Sequence, residues 1–298
     1  MTGMDNIVMV RQTRMGEAPF ILFHGTTLPA ALDIRDDGWQ VRPSRTYIEE
    51  VAANQGLDPD AIWDEIDGDV RGFATARGRG HSISFATNFG MAAHRWAQRA
   101  PEARREALRA AWRLRNPRVA RNDVRGIAWI LAQMLREDPA VLEVTFSYSA
   151  LRAHGSYISR LEHPDVSAED LGRREFDKSK VDLSKMFHQV EPLPDDRGRF
   201  EDRGLVIPEV AVPLPLEGVQ YELRLHRCER QIPANVYALW LNLTPATFGP
   251  LARKGQLGPS GSQNGPHSGP PGNWWPLSTV ERTLRKRGLS LPWIPEPS

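Results

Sequence analysis

One cysteine, Cys228, stands in 298 residues, so no intramolecular disulfide can form. The fold therefore does not depend on an oxidising compartment. No stretch approaches the run of about 18 apolar residues that a membrane helix needs, so no membrane partner is expected. The opening MTGMDNIVMVRQTRMGEAPF lacks a basic segment followed by a long apolar core. It predicts no secretory signal, and a cytoplasmic protein or one that reaches a target cell by a signal-free route. Net charge is only +1, so charge as a whole selects no partner. The eight histidines are scattered, without H-E-x-x-H or paired-cysteine spacing, so no metal is expected. Gly-rich phosphate loops of the dinucleotide or P-loop kind are absent too, as are internal repeats.

What is present is an ordinary soluble composition, 40% hydrophobic and 25% charged. The length suits one large domain with a smaller appendage. NIVMVRQT and FILFH read as strands. TLPAALDIRDDGW reads as a helix with Thr27 as N-cap, Leu28, Ala31 and Ile34 on one face, and Gly38 as its stop. RTYIEEVAANQG and DPDAIWDEIDG predict two further helices, and Ser82–Ala86 a strand. The segment from Gly90 to Asn116 predicts a helix broken at Pro101, and DVRGIAWILAQMLRED another. AVLEVTFSYS and VQYELRLHR alternate as strands. Residues 151–200 read as polar and irregular. RGLVIPEVAVPLPL reads as a strand that the proline beside Glu209 makes irregular or places at an edge. NVYALWLNLT is open between helix and strand. Residues 1–253 form the expected body, 254–273 a Gly/Pro/Ser-rich linker or loop, and 274–298 a tail that Trp274, Trp275 and Trp293 dock onto the body. Strands and helices mix without regular alternation, so the expected class is α+β.

Three blocks carry chemistry-bearing residues: FHGTT around His24, GHSISFATNFGMAAHRWA at 80–97, and GLVIPEVAVPLPLEGVQYELRLHR at 204–227. A histidine at a strand end is by itself open between a ligand contact and a satisfied core residue. Together, in this order, the blocks resemble the ADP-ribosyltransferase superfamily, in its diphtheria toxin and poly(ADP-ribose) polymerase-like branch. There an HG or HGT ends an early strand, a middle strand carries tyrosine or serine before a helix, and a late strand carries a glutamate. The resemblance covers about a sixth of the chain. It implies split mixed β-sheets with flanking helices around an NAD cleft.

It also implies residue roles. Glu209 is the expected catalytic carboxylate, stabilising an oxocarbenium-like transition state as NAD is split between nicotinamide and ribose. It would also orient the acceptor or act as its base. His24 would donate to the adenosine ribose. Gly25 would let its backbone approach the nicotinamide carboxamide. Thr26 and Thr27 would add ribose or phosphate hydrogen bonds, and Ser84 would sit beneath the nicotinamide ribose. Ser84 stands where many relatives have a stacking tyrosine, so Trp96, with Phe85 or Phe89 as substitutes, is the expected stacking ring. Ile207 stands where an arginine-modifying toxin has Glu or Gln, and nothing marks a polymer-binding domain. The implied activity is mono-ADP-ribosylation by a bacterial toxin or defence effector, whose partners would be NAD, an acceptor and an antitoxin or immunity protein.

The acceptor is expected to be DNA, RNA or protein, with nucleic acid ahead. Residues 95–125 hold ten arginines against three acids. Arg95, Arg99, Arg104, Arg105, Arg109, Arg113 and Arg115 read either as a solvated helix face or as a track for phosphate. The resemblance implies that the polar loop 191–204 before Glu209, which holds Asp195 and Asp196, reads the acceptor, with Arg197, Arg199, Phe200 and Arg203 as the expected contacts. Two other readings remain. A tRNA 2′-phosphotransferase-like enzyme shares HGT and GHS but has GHS first. A non-catalytic binding module on the same fold is the second.

Overall fold

The apolar run at Phe20 continues through the polar HGTT to make one eight-residue strand, β2 (Phe20–Thr27). Phe20 and Leu22 are buried on one face, and the backbone stays extended through Thr27, whose hydroxyl accepts from Ala30 N and starts the helix α1 (Leu28–Asp37). Ala31 is wholly buried, and Gly38, at φ 86°, ends α1 as a position that favours glycine. The computed structural model describes residues 7–10, 19–40, 44–66, 82–120, 123–135, 137–162, 165, 187–197, 209–260 and 274–291.

Eight strands form one sheet in the order β1-β8-β4-β2-β3-β7-β5-β6. The other seven are β1 (Ile7–Val10), β3 (Ser82–Ala86), β4 (Pro139–Phe146), β5 (Tyr157–Glu162), β6 (Phe187–Pro192), β7 (Glu209–Pro213) and β8 (Tyr221–Arg227). A two-stranded ribbon joins β9 (Gln231–Pro233) to β10 (Trp274–Pro276). Every described ladder is antiparallel, which corrects the expectation of mixed sheets. The class is α+β, as the irregular succession of elements requires.

Of the two expectations for this strand, irregular beside the proline or at an edge, β7 does not show the edge position. It starts at Glu209, one residue past the proline, and lies between β3 and β5. A proline before the ladder removes none of its hydrogen bonds, so an internal strand is allowed.

The remaining helices are α2 (Ser44–Gln55), α3 (Pro59–Glu65), α5 (Glu102–Arg115), α6 (Val124–Met134), α7 (Tyr148–Ala153), α8 (Ala234–Trp240), α9 (Pro245–Arg253) and α10 (Leu277–Lys286). Between α3 and α5, three consecutive pieces make α4: Phe89–Met91, the π-turn Ala92–Trp96 and Ala97–Arg99. The expected break at Pro101 separates α4 from α5. NVYALWLNLT resolves as helix because Val236, Tyr237 and Ala238 bury one turn against Trp275 and Phe248.

One sheet face packs Phe20, Leu22, Phe85, Leu142, Val210 and Val212 with α1 and Trp39. The other packs Ala86 and Val141 under Met91, Ala92 and Ala97 of α4. A helical layer of α2, α3, α5 and α6 has its own core. Trp275 is 3% exposed, and its ring lies 5.6 Å from Tyr237 and 5.3 Å from Phe248. Trp293 lies outside the described residues, as do residues 261–273 of the expected linker. No described helix is long and apolar enough to cross a membrane.

Candidate functional site

The sheet has a seam between β2 and β3. β2 pairs with β4 at eight positions and β3 with β7 at five, yet β2 and β3 share only Phe23↔Ala86. Beyond that pair the two strands part. There His24 reaches across, and its Nδ1 lies 2.9 Å from the carbonyl oxygen of Ser84. A carbonyl can only accept, so Nδ1 carries the proton. The imidazole thus takes over a role that backbone pairing has in the rest of the sheet. Its ring is wedged edge-on against Trp39 at 5.4 Å and Phe85 at 5.8 Å. Burial lowers the His24 pKa below its ordinary value, while the bond to Ser84 and the charge of Glu209 oppose that shift. A neutral ring protonated at Nδ1 leaves Nε2 as an acceptor.

Glu209 is therefore close enough for its carboxylate to be felt at His24. The two side chains leave the sheet on opposite faces. Register places Phe23, Ala86, Glu209 and Ser159 in one cross-strand row, and Ala86 faces α4. Alternation puts Ser84 on that face with Glu209. His24 shares the other face with Phe85. So the structure brings His24 to Ser84 through the main-chain carbonyl, not the hydroxyl. Ser84 and Glu209 keep further contacts of their own.

Gly25 has a steric reason to be glycine. A Cβ there would meet Ala92 O at 2.5 Å, Ala97 N at 2.6 Å and Trp96 Cβ at 2.7 Å. Ala97 N donates to Ala92 O, so the π-turn bond of α4 lies directly over the Gly25 Cα. π-turns recur at functional sites. Trp96 is half-buried against this joint, among Phe23, Phe89 and Cys228. Thr26 is buried, and the Thr27 hydroxyl caps α1. Phe85 is wholly buried and packs edge-on to His24, Trp39 and Phe146, a core residue with no ring face open to a ligand. Phe89 packs edge-on to Phe23 at 5.7 Å and His226 at 5.2 Å.

Of the expected acceptor contacts, Arg199, Phe200 and Arg203 lie outside the described residues. Arg197 is held against the start of β2: it donates to Pro19 O at 3.0 Å and its guanidinium lies 5.5 Å from the Phe20 ring centre. Asp195 pairs with Arg152.

Two features escaped the sequence. His226 Nε2 lies 2.7 Å from Glu143 Oε2, with Arg224 at 3.7 Å from the other oxygen, on the α4 side of the sheet. The alternation of LEV and LHR signalled that each residue shares a face with its strand's other polar residues, but only register pairs them. Trp39 walls an open groove of 580 Å³ with Leu216, Val219, Gln220 and Tyr221. Among the described residues, the buried Trp39 indole N–H has no hydrogen-bond partner. Among the described residues, no group of three or more His, Cys, Asp or Glu is placed to hold a metal ion. Cys228 is not an activated nucleophile, since burial raises its pKa to about 11. Comparison with protein-family models, curated proteins and solved structures gives no match for this chain, so the site stands on its own geometry.

Proposed function

We propose that the chain is a mono-ADP-ribosyltransferase of the toxin or defence-effector kind, which cleaves NAD and transfers ADP-ribose to a macromolecule, nucleic acid ahead of protein. The observation that carries this reading is the seam: a sheet parted after Phe23↔Ala86, bridged by His24 to Ser84, with the Glu209 charge felt at the same ring. A cation developing at the ribose needs a nearby carboxylate, and Glu209 supplies one at the start of β7. His24, neutral and protonated at Nδ1, would accept from a ribose hydroxyl through Nε2, the reverse of the donation the resemblance implies. Gly25 would present only its backbone, because α4 covers its Cα. Trp96 is the aromatic best placed to serve the nicotinamide end, since Phe85 is enclosed.

The test is NAD turnover with labelled NAD, with and without cell lysate, beside Glu209→Gln. The expected outcome is label on lysate macromolecules and a loss of about 10²–10³-fold in the variant, the range for removing one group that stabilises transition-state charge. Nuclease or protease digestion of the product then names the acceptor. A second reading is a non-catalytic NAD-binding module, favoured by the tight cover of α4 over Gly25. It predicts stabilisation by NAD, about 2.7 kcal/mol at 100 times the dissociation constant, without nicotinamide release. Absence of both binding and turnover overturns both readings.

A further inference from the structure

Four arginines of the segment 95–125 turn inward. Arg104 pairs with Glu137, and Arg109 donates to Glu106 at 2.6 Å. Arg113 donates to the Glu65 carboxylate at 2.6 Å, and Arg115 to Gln55 Oε1 at 2.8 Å. Those forks are spent inside the fold. The C-terminal helix α10 is the opposite case. Its Thr279, Val280, Thr283 and Leu284 are buried, and Leu277, Leu289 and Leu291 pack against the same core. Arg282, Arg285 and Lys286, spaced i, i+3 and i+4, make a stripe on the other side, and Arg287 follows at the cap. All four are exposed, and none of their side chains makes a hydrogen bond or ion pair among the described residues.

Like charges at this spacing repel. From 245 to 291 the chain supplies six Lys and Arg but one acid, Glu281. Glu281 stands four residues before Arg285, yet it forms no ion pair among the described residues. The helix dipole favours a cation in the last turn, but it does not offset the repulsion among several of them. A partner carrying several negative charges does. The stripe offers charge without an apolar anchor, because the apolar face of α10 is spent on the core. A protein interface needs an apolar or aromatic centre, and a membrane-surface helix needs a free apolar face. Binding to a phosphate backbone needs only cations along the strand. Three of the four here are arginines, whose planar forks match paired phosphate oxygens.

We propose that the exposed stripe of Arg282, Arg285, Lys286 and Arg287 is a binding surface for a nucleic-acid phosphate backbone. It holds a strand by charge and reads no sequence. The surface does not depend on NAD chemistry.

The test titrates the full chain with a labelled single-stranded oligonucleotide at several salt concentrations, beside Arg285→Gln/Lys286→Gln. A control pair, Arg45→Gln/Arg125→Gln, removes the same charge from exposed arginines that are paired to acids. The expected result is that the α10 variant weakens binding several-fold. Its salt slope falls by about 1.4, for two phosphate contacts at about 0.7 each, while the control pair changes neither. No binding by the wild type, unchanged binding by the α10 variant, or an equal loss in the control pair overturns the proposal. Tighter binding to polyglutamate or to anionic-lipid vesicles than to the oligonucleotide also overturns it, and gives the surface to an acidic protein or a membrane. So does a Tm for the α10 variant several degrees below wild type, because the cations then serve the fold itself. None of these readouts needs turnover, so failure of the NAD reading leaves them interpretable.

Discussion

His24 shows how one residue can be both structural and a candidate for chemistry. Its ring holds the seam by bonding Ser84, and burial keeps it neutral at pH 7. A histidine whose folded pKa lies below its ordinary 6.5 binds fewer protons folded than unfolded as the pH falls through 6.5. Stability is then complete above that pH, is lost progressively below it, and stops falling once the folded pKa is passed. Urea unfolding from pH 8 to 5 should show this loss. His24→Gln, whose amide can still donate to Ser84 O, should flatten the curve in that window, while His94, which burial shifts in the same direction, keeps its share. An unchanged slope would mean that His24 is not the titrating group. Much at this scale was legible in the sequence: Thr27 as a cap, Gly38 as a stop and Pro101 as a break all follow from local backbone chemistry. The partner of His24 was not, because a contact across 60 residues depends on register and not on local pattern.

At the scale of elements, α4 is held by its own irregularity. A π-turn leaves carbonyls without their usual partner, and the Gln98 side chain takes that of Ala93 at 3.3 Å. The same amide donates to Glu229 O at 3.0 Å, and Gln98 Oε1 accepts from Gln231 N at 3.0 Å. One side chain thereby ties α4, and the turn that lies on Gly25, to the segment between β8 and β9. Gln98→Ala leaves these backbone groups unpaired, at a cost of about 1–3 kcal/mol for each one that water cannot reach. A lower Tm is expected, together with faster amide exchange in residues 92–97. An exchange pattern identical to wild type would show that the π-turn does not need Gln98. Sequence reading found this helix but not its π-turn, which appears only when Gly25 and α4 are docked. Likewise the repeated arginines of α5 read as a charged face, while their partners Glu65 and Glu137 come from other elements.

Across the whole molecule, the Trp-rich tail belongs to the body. Trp275 fills a core made by α8, α9 and α10, and its indole N–H donates to Gly258 O at 3.3 Å. Trp275→Ala should cost about 3–5 kcal/mol, the range for emptying a large aromatic site. That corresponds to a Tm loss of roughly 6–20 °C for a chain of this size. A shift of a degree or two in a thermal melt would mean that the tail docks without supporting the body. The order of the eight strands was out of reach of any local pattern, because it depends on pairings between distant segments.

The seam that His24 bridges also governs how the chain can be divided. On one side stand β1, β8, β4 and β2, and on the other β3, β7, β5 and β6. In chain order the backbone crosses between the two at β2–β3, β3–β4, β4–β5 and β7–β8. Neither half is contiguous, so no single cut yields a fragment that owns either one. His24 belongs to one half, and Ser84 and Glu209 to the other. The candidate site comes into being only when threads from both ends of the chain have been woven together, and a truncated product therefore carries no partial version of it.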